Sequence, residues 1–257
     1  FYLDILRRSI LEKQLYRKRL LKALVVCFVI NIIDFLACYL SLLDMYKRGL
    51  VNITVFNENI ITGDYHTPLN YGVVQLFVYL FFIGYVMSGV RIEKIIRCSE
   101  RNIYWKNHLI NTVVATGAFV IIHELISVIF LLIFGNVEVL ISHKWIQGVI
   151  FQIISTILYY ILIYLLYEIF ITKFGQNVAL VITAILCAIE YYCSFKIFEN
   201  MWMPIDDVPL MGNLCTGIYS EMQCGMALLR LSELVLIFGF LFFKIKNKED
   251  LLIYEKR

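Results

Sequence analysis

No glycine in this sequence is followed by Lys-Ser or Lys-Thr, so the chain lacks the G-x-x-x-x-G-K-[ST] loop whose backbone amides cradle nucleotide phosphates. There is no C-x-x-C pair, and His123-Glu124 does not extend to H-E-x-x-H because Ser127 stands at the last position. The remaining histidines, His66, His108 and His143, are scattered over different segments. On spacing alone, the expectation is therefore no metal site, no catalytic residue and no cofactor bound by this chain. Ten-residue segments of alternating hydrophobicity are also missing, which excludes a membrane β-barrel.

What the sequence has in abundance is apolar side chain. Of its 257 residues 61% are hydrophobic, the mean hydropathy is +0.78, and soluble domains hold only about 45–50% apolar residues. The apolar residues fall in long blocks, six of which approach the roughly 20 residues that a helix needs to cross a hydrocarbon core. These blocks are Ala23 to Leu43, Tyr71 to Val90, Leu109 to Phe134, Trp145 to Tyr167, Val178 to Phe198 and Met226 to Phe243. The predicted fold is an all-α integral membrane protein in which residues 23–257 form one six-span domain, its last span short.

Basic residues between the spans are strongly asymmetric. One side carries Arg7, Arg8, Lys13, Arg17, Lys18, Arg19 and Lys22 before span one, Arg91, Lys94, Arg97, Arg101 and Lys106 after span two, and Lys173 after span four. The tail adds Lys244, Lys246, Lys248, Lys256 and Arg257. The other side has only Lys47, Arg48, Lys144 and Lys196. Positive charge collects on the cytoplasmic side of membrane proteins, so both termini are expected there. Near span ends the charges meet anionic headgroups, so the net charge of +3 is no sign of nucleic acid.

Residues 1–22 read as an interfacial helix lying along the inner membrane surface before turning into span one. The outer loop from Asp44 to Asn70, with Gly63 and Pro68, reads as a polar excursion. Residues 199–225 mix Met201, Trp202, Met203, Leu210 and Met211 with Pro204, Pro209 and Gly212. That segment is too broken for a span and too apolar for a solvated loop, so we expect short interfacial or re-entrant helices there. Trp202 and Met203 are candidates for an outer gate, and Cys215 with Cys224 is one open disulfide pairing.

Four charged residues fall inside spans: Asp34, Glu124, Arg230 and Glu233. A charge at the bilayer centre costs about 2.5–3.5 kcal/mol on insertion scales, so these side chains should face protein or water. Arg230 and Glu233 are three apart and read as a self-neutralising pair. Asp34 and Glu124 have no cation at helical spacing and are expected either to be protonated or to reach Arg230 across the bundle. All four are candidates for a translocation path or for intramembrane polar contacts.

Between spans two and three, residues 91–106 contain no Pro or Gly and can form a short helix. Its core is Arg97-Cys98-Ser99-Glu100-Arg101, followed by Trp105-Lys106. Here the chain resembles the ABC-type-2 transporter permeases, particularly small ones of Gram-positive bacteria linked to peptide or bacteriocin export and immunity. In that family this loop often reads Arg-x-Ser-x-Arg followed by an aromatic residue and a Lys, which Arg97, Ser99, Arg101, Trp105 and Lys106 match. The resemblance implies that these residues, with Glu100, form a coupling helix on cytoplasmic ATPase subunits that hold the ATP and Mg. It also implies a second permease copy or a homologous permease, and residence in a bacterial cytoplasmic membrane. Two other readings stand beside it, a non-transporting membrane scaffold or sensor and an intramembrane hydrolase using His123 and Glu124.

Overall fold

The computed structural model describes residues 2–87, 101–142, 144–197 and 201–248. Among them there is no strand, and six helices are long and apolar enough to cross a membrane. The first helix, α1 (Tyr2–Lys47), is 46 residues long and uninterrupted. The turn expected near Lys22 is absent, since the helix contains neither Pro nor Gly to break it. Next come α2 (Ile53–Thr62), a 3-10 turn (Asp64–His66), a π-helical turn (Asn70–Val74) and α3 (Gln75–Met87).

The chain continues with α4 (Arg101–Phe134), a short α5 (Val137–Ser142), α6 (Trp145–Phe174) and α7 (Gln176–Tyr192). A π-helical turn (Cys193–Ile197) and a 3-10 turn (Pro204–Asp207) lead to α8 (Leu210–Cys215) and α9 (Glu221–Lys248). The last helix is 28 residues long. It thus extends beyond the apolar block at Met226 to Phe243 in both directions, and at 1.5 Å per residue it is about 42 Å long.

Helix α6 is the hub, packing on α4, α7, α8 and α9. Tyr159 to Leu165 are buried on every side of it, as expected of a helix that is apolar all round. Tyr160 stacks on Tyr79 of α3 at 4.6 Å between ring centroids, and the Tyr79 hydroxyl shares a 2.9 Å hydrogen bond with Thr116 of α4. Aromatic rings with satisfied hydroxyls thus join three helices. In contrast, α1 and α9 expose rows such as Val25, Val26, Val29 and Ile33, and Leu229, Leu236, Ile237 and Phe240. Those rows are surfaces suited to lipid or to another apolar partner.

The loop after span one is not the polar excursion expected from its composition. Phe56, Ile60, Ile61, Tyr65 and His66 are buried, and α2 packs on α1, α4, α5 and α8. Its apolar residues at 53, 56 and 60 share one helical face, and that face draws the segment inward. The broken segment before α9 also packs inward, with Ile205, Val208 and Leu210 fully buried. Neighbouring side chains satisfy its irregular backbone. Glu190 Oε1 accepts from the Ile205 amide at 2.9 Å, Gln152 Oε1 accepts from the Met211 amide at 3.1 Å, and the Ser155 hydroxyl donates to the Val208 carbonyl at 2.9 Å. This is the condition under which non-helical backbone persists in an apolar bundle.

Gly148 lets α8 approach α6. A Cβ there would stand 3.1 Å from Met211 Cγ and 3.3 Å from Met211 Cα, whereas one at Gly117 would meet nothing closer than 3.9 Å. Gly148→Val should therefore cost about 1–3 kcal/mol through overpacking. Gly117→Ala should instead leave the melting midpoint in detergent unchanged or raise it. Equal midpoints for the two variants would contradict this packing.

Candidate functional site

The least expected feature of the bundle is a buried polar centre built from α1, the segment 53–74 and α4. Asn31, His66, Tyr71, His123 and Glu124 are all buried in it. His123 and Glu124 are neighbours on α4 and point about 100° apart, and the inward-folded segment reaches both. The Tyr65 ring stacks on His123 at 4.2 Å between centroids, while the Tyr71 hydroxyl donates to Glu124 Oε1 at 2.8 Å.

With Glu124 ionised, the hydrogen-bond pattern assigns the ring tautomers. Tyr71 has one proton, and it goes to Glu124. The 2.7 Å contact between His66 Nδ1 and the Tyr71 oxygen must therefore carry the proton of His66. Asn31 donates its Nδ2 to the Cys27 carbonyl at 2.9 Å, which orients Oδ1 to accept from His123 Nδ1 at 2.9 Å. Both imidazoles thus carry their protons on Nδ1, leaving lone pairs on Nε2. His66 Nε2, His123 Nε2 and Glu124 Oε2 are all buried without a hydrogen-bond partner. One ligand-type atom from each of the three residues lies within 4.8 Å of the other two. Histidines that are scattered in sequence therefore converge in space, and the donor set is the two-imidazole, one-carboxylate kind that can hold a metal.

Asp34 belongs to the edge of this centre. Its Oδ2 accepts from Gln75 Nε2 at 2.8 Å and from Asn70 Nδ2 at 3.1 Å. Neither Asp34 nor Glu124 reaches Arg230. Arg230 instead binds Asp207 through two contacts, Nε to Oδ2 at 2.8 Å and a terminal guanidinium nitrogen to Oδ1 at 2.5 Å. Trp202 Nε1 donates to the same carboxylate at 2.9 Å, and the guanidinium lies 5.5 Å from the Trp202 ring centroid. Among the described residues no ion pair joins Arg230 to Glu233. The bidentate geometry open to a carboxylate on a separate element prevails over the i,i+3 spacing.

A cavity of about 750 Å³ lies between the segment around His66 and the broken segment before α9. Its lining mixes Trp202, Met201, Phe195 and Ile218 with Ser194, Asp206, Asn213 and Tyr219, and it includes His66. Of the two gate candidates, Trp202 lines the cavity. Met203 packs against the main core, its amide bound to Asp206 Oδ2 at 2.7 Å. Cys215 and Cys224 are free thiols, and burial pushes the Cys215 thiol up to about 12, which keeps it protonated and unreactive at neutral pH.

The opposite end of the bundle holds a second polar network. Lys246 Nζ lies 3.1 Å from Glu168 Oε2, Tyr164 donates to Glu168 Oε1 at 2.9 Å, and His108 Nε2 is 2.6 Å from the Tyr164 hydroxyl. Trp105 is 3% exposed, with Lys246 over its ring at 5.0 Å and Phe242 against its edge. The ring therefore packs within the bundle, between α4 and the apolar face of α9. Lys106 is exposed. Arg97, Ser99 and Glu100 lie outside the described residues, and Arg101 begins α4.

No protein-family model, curated protein or solved structure matches the chain. Sequence reasoning missed His66, Tyr71, Asn31, Asp207, Glu168 and Lys246 as site residues. The apolar face at Ile53, Phe56 and Ile60 was the available signal that the first loop folds inward, and so carries His66 with it. Asp207 is fully buried but the Arg230 side chain is 39% exposed, so removing the cation should cost less than the ~3–5 kcal/mol of a fully buried pair. Arg230→Leu should therefore lower the melting midpoint far more than Glu233→Leu, and the reverse order would restore the pairing expected from spacing.

Proposed function

We propose that this chain is the transmembrane permease subunit of an ATP-binding cassette exporter. It moves an amphipathic peptide or similar hydrophobic compound across a bacterial cytoplasmic membrane, and a separate ATPase drives it. We place both termini in the cytoplasm, following the distribution of basic residues. The observation that carries the reading is the cavity of about 750 Å³ at the end of the bundle opposite the basic connection, with aromatic and aliphatic side chains on the same wall as hydroxyls and a carboxylate. Such a lining suits a cargo with two faces, since each apolar contact and each hydrogen bond then finds a partner.

Three further features support it. Six apolar helices form the bundle, the chain has no nucleotide-binding loop of its own, and the exposed apolar rows of α1 and α9 leave room for a second permease. In this reading ATP-driven movement enters through the connection ending at Arg101 and Lys106. It passes along α4, which carries Trp105 and His108 at one end and His123 with Glu124 further along. The network of Trp105, His108, Glu168 and Lys246 ties that entry point to α6 and α9.

The test is purification from the native host in mild detergent. A soluble P-loop ATPase should accompany the tagged chain, and its absence would overturn the assignment. In the reconstituted complex, Arg101→Glu should reduce transport at least ten-fold while ATP hydrolysis persists without cargo stimulation. Wild-type coupling in that variant would remove the connection from the drive train.

A further inference from the structure

We propose that His66, His123 and Glu124 bind a divalent transition-metal cation of the zinc class. Three buried acceptor atoms, His66 Nε2, His123 Nε2 and Glu124 Oε2, have no donor, and unpaired polar groups in an apolar interior are costly. A protonated Glu124 that relays one water to both imidazoles is the metal-free alternative, and it predicts no stoichiometric Zn²⁺ binding. One cation satisfies all three. Imidazole nitrogen and carboxylate oxygen together favour Zn²⁺ and Co²⁺ over Mg²⁺ or Ca²⁺, which prefer all-oxygen sites.

The surroundings are those of metal ligands. A ligating histidine donates its second ring N–H to a fixed acceptor, which sets its tautomer. Here His123 does so to Asn31 Oδ1 at 2.9 Å and His66 to the Tyr71 hydroxyl at 2.7 Å. The Tyr71 hydroxyl in turn holds Glu124 by Oε1, leaving Oε2 for the cation. Zn–N and Zn–O bonds of about 2.0–2.1 Å place tetrahedral ligand atoms about 3.3 Å apart. The three residues have ligand-type atoms within 4.8 Å of one another, so closing on a cation requires the side chains to draw together. His66 also lines the cavity of about 750 Å³, with its side chain 1% exposed, so an ion would enter from that side by a local opening of the wall. Because His66 belongs to the segment between spans one and two and the other ligands belong to α4, the bound ion would also clamp that segment to the bundle.

The test uses the full chain in mild detergent, stripped with a chelator and titrated with Co²⁺ and then Zn²⁺. It needs no ATPase, so its outcome is separate from that of the permease reading. One Zn²⁺ per chain is expected, with a Co²⁺ spectrum of a nitrogen and oxygen site lacking any sulfur charge-transfer band, and a melting midpoint raised by several degrees. His123→Gln and Glu124→Gln should each weaken binding at least 100-fold. Asn31→Ala, which touches no metal, should weaken it about 10–100-fold. If His123→Gln does not yield a monodisperse protein, His66→Gln supplies the same comparison from the cavity wall. The proposal is overturned if the wild type binds no stoichiometric metal, or if a variant lacking all three side chains binds as well. A Co²⁺ spectrum dominated by sulfur ligation would overturn it too, since the metal would then sit on the cysteines.

Discussion

Tyr71 stands between Glu124 and His66, donating to the carboxylate and accepting from the imidazole. Much else in this half of the molecule depends on that arrangement. A carboxylate and two imidazoles are costly among apolar helices unless their polar atoms find partners, and one atom of each does: Glu124 Oε1 and His66 Nδ1 at the Tyr71 hydroxyl, and His123 Nδ1 at Asn31 Oδ1. Meeting them requires the segment 53–74 to leave the surface and fold against α4. Once it does so, Tyr65 covers His123, Asn70 and Gln75 reach Asp34, and Tyr160 of α6 donates to the Tyr71 carbonyl at 3.1 Å. The inner wall of the cavity is a product of the same inward fold.

The last helix illustrates a related constraint. Most of its surface is apolar and exposed, and its charges looked like a liability for insertion. Two of them instead anchor it at separated points. Arg230 binds Asp207 of the broken segment and Lys246 binds Glu168 of α6. These anchors are 16 residues apart, about 24 Å along a helix axis. A helix held mainly by side-chain volume could slide or rotate on α6, whereas two ion pairs at fixed register oppose both motions. The same pairs link α9 to the cavity wall at one end and to the neighbourhood of the basic connection at the other.

The spans were legible in the sequence because uninterrupted apolar length is a local property, and each helix contains its own run. The broken character of residues 199–225 was legible for the same reason, since Pro204, Pro209 and Gly212 act on their own backbone. The continuity of α1 past Lys22 could also be read locally, because nothing in residues 2–47 breaks a helix. The inward course of residues 53–66 was partly legible, in the spacing of Ile53, Phe56 and Ile60, but Asn57, Glu58 and Asn59 among them and Gly63 after them masked it.

Polar partnership was not legible. Arg230 has Glu233 one turn away and Asp207 on another element, and spacing favours the first. The structure selects the second, because only Asp207 lies where a planar guanidinium can engage both carboxylate oxygens. His66 and His123 are 57 positions apart and each looked solitary, yet they meet beside Glu124. The sequence by itself determined that this protein is a bundle of six apolar helices with an interrupted segment before the last, since the cost of exposing apolar surface or unpaired backbone is settled residue by residue. Only the tertiary structure decided which buried charges and imidazoles face one another, because hydrogen bonds and ion pairs are short-ranged and directional and so depend on how the helices pack.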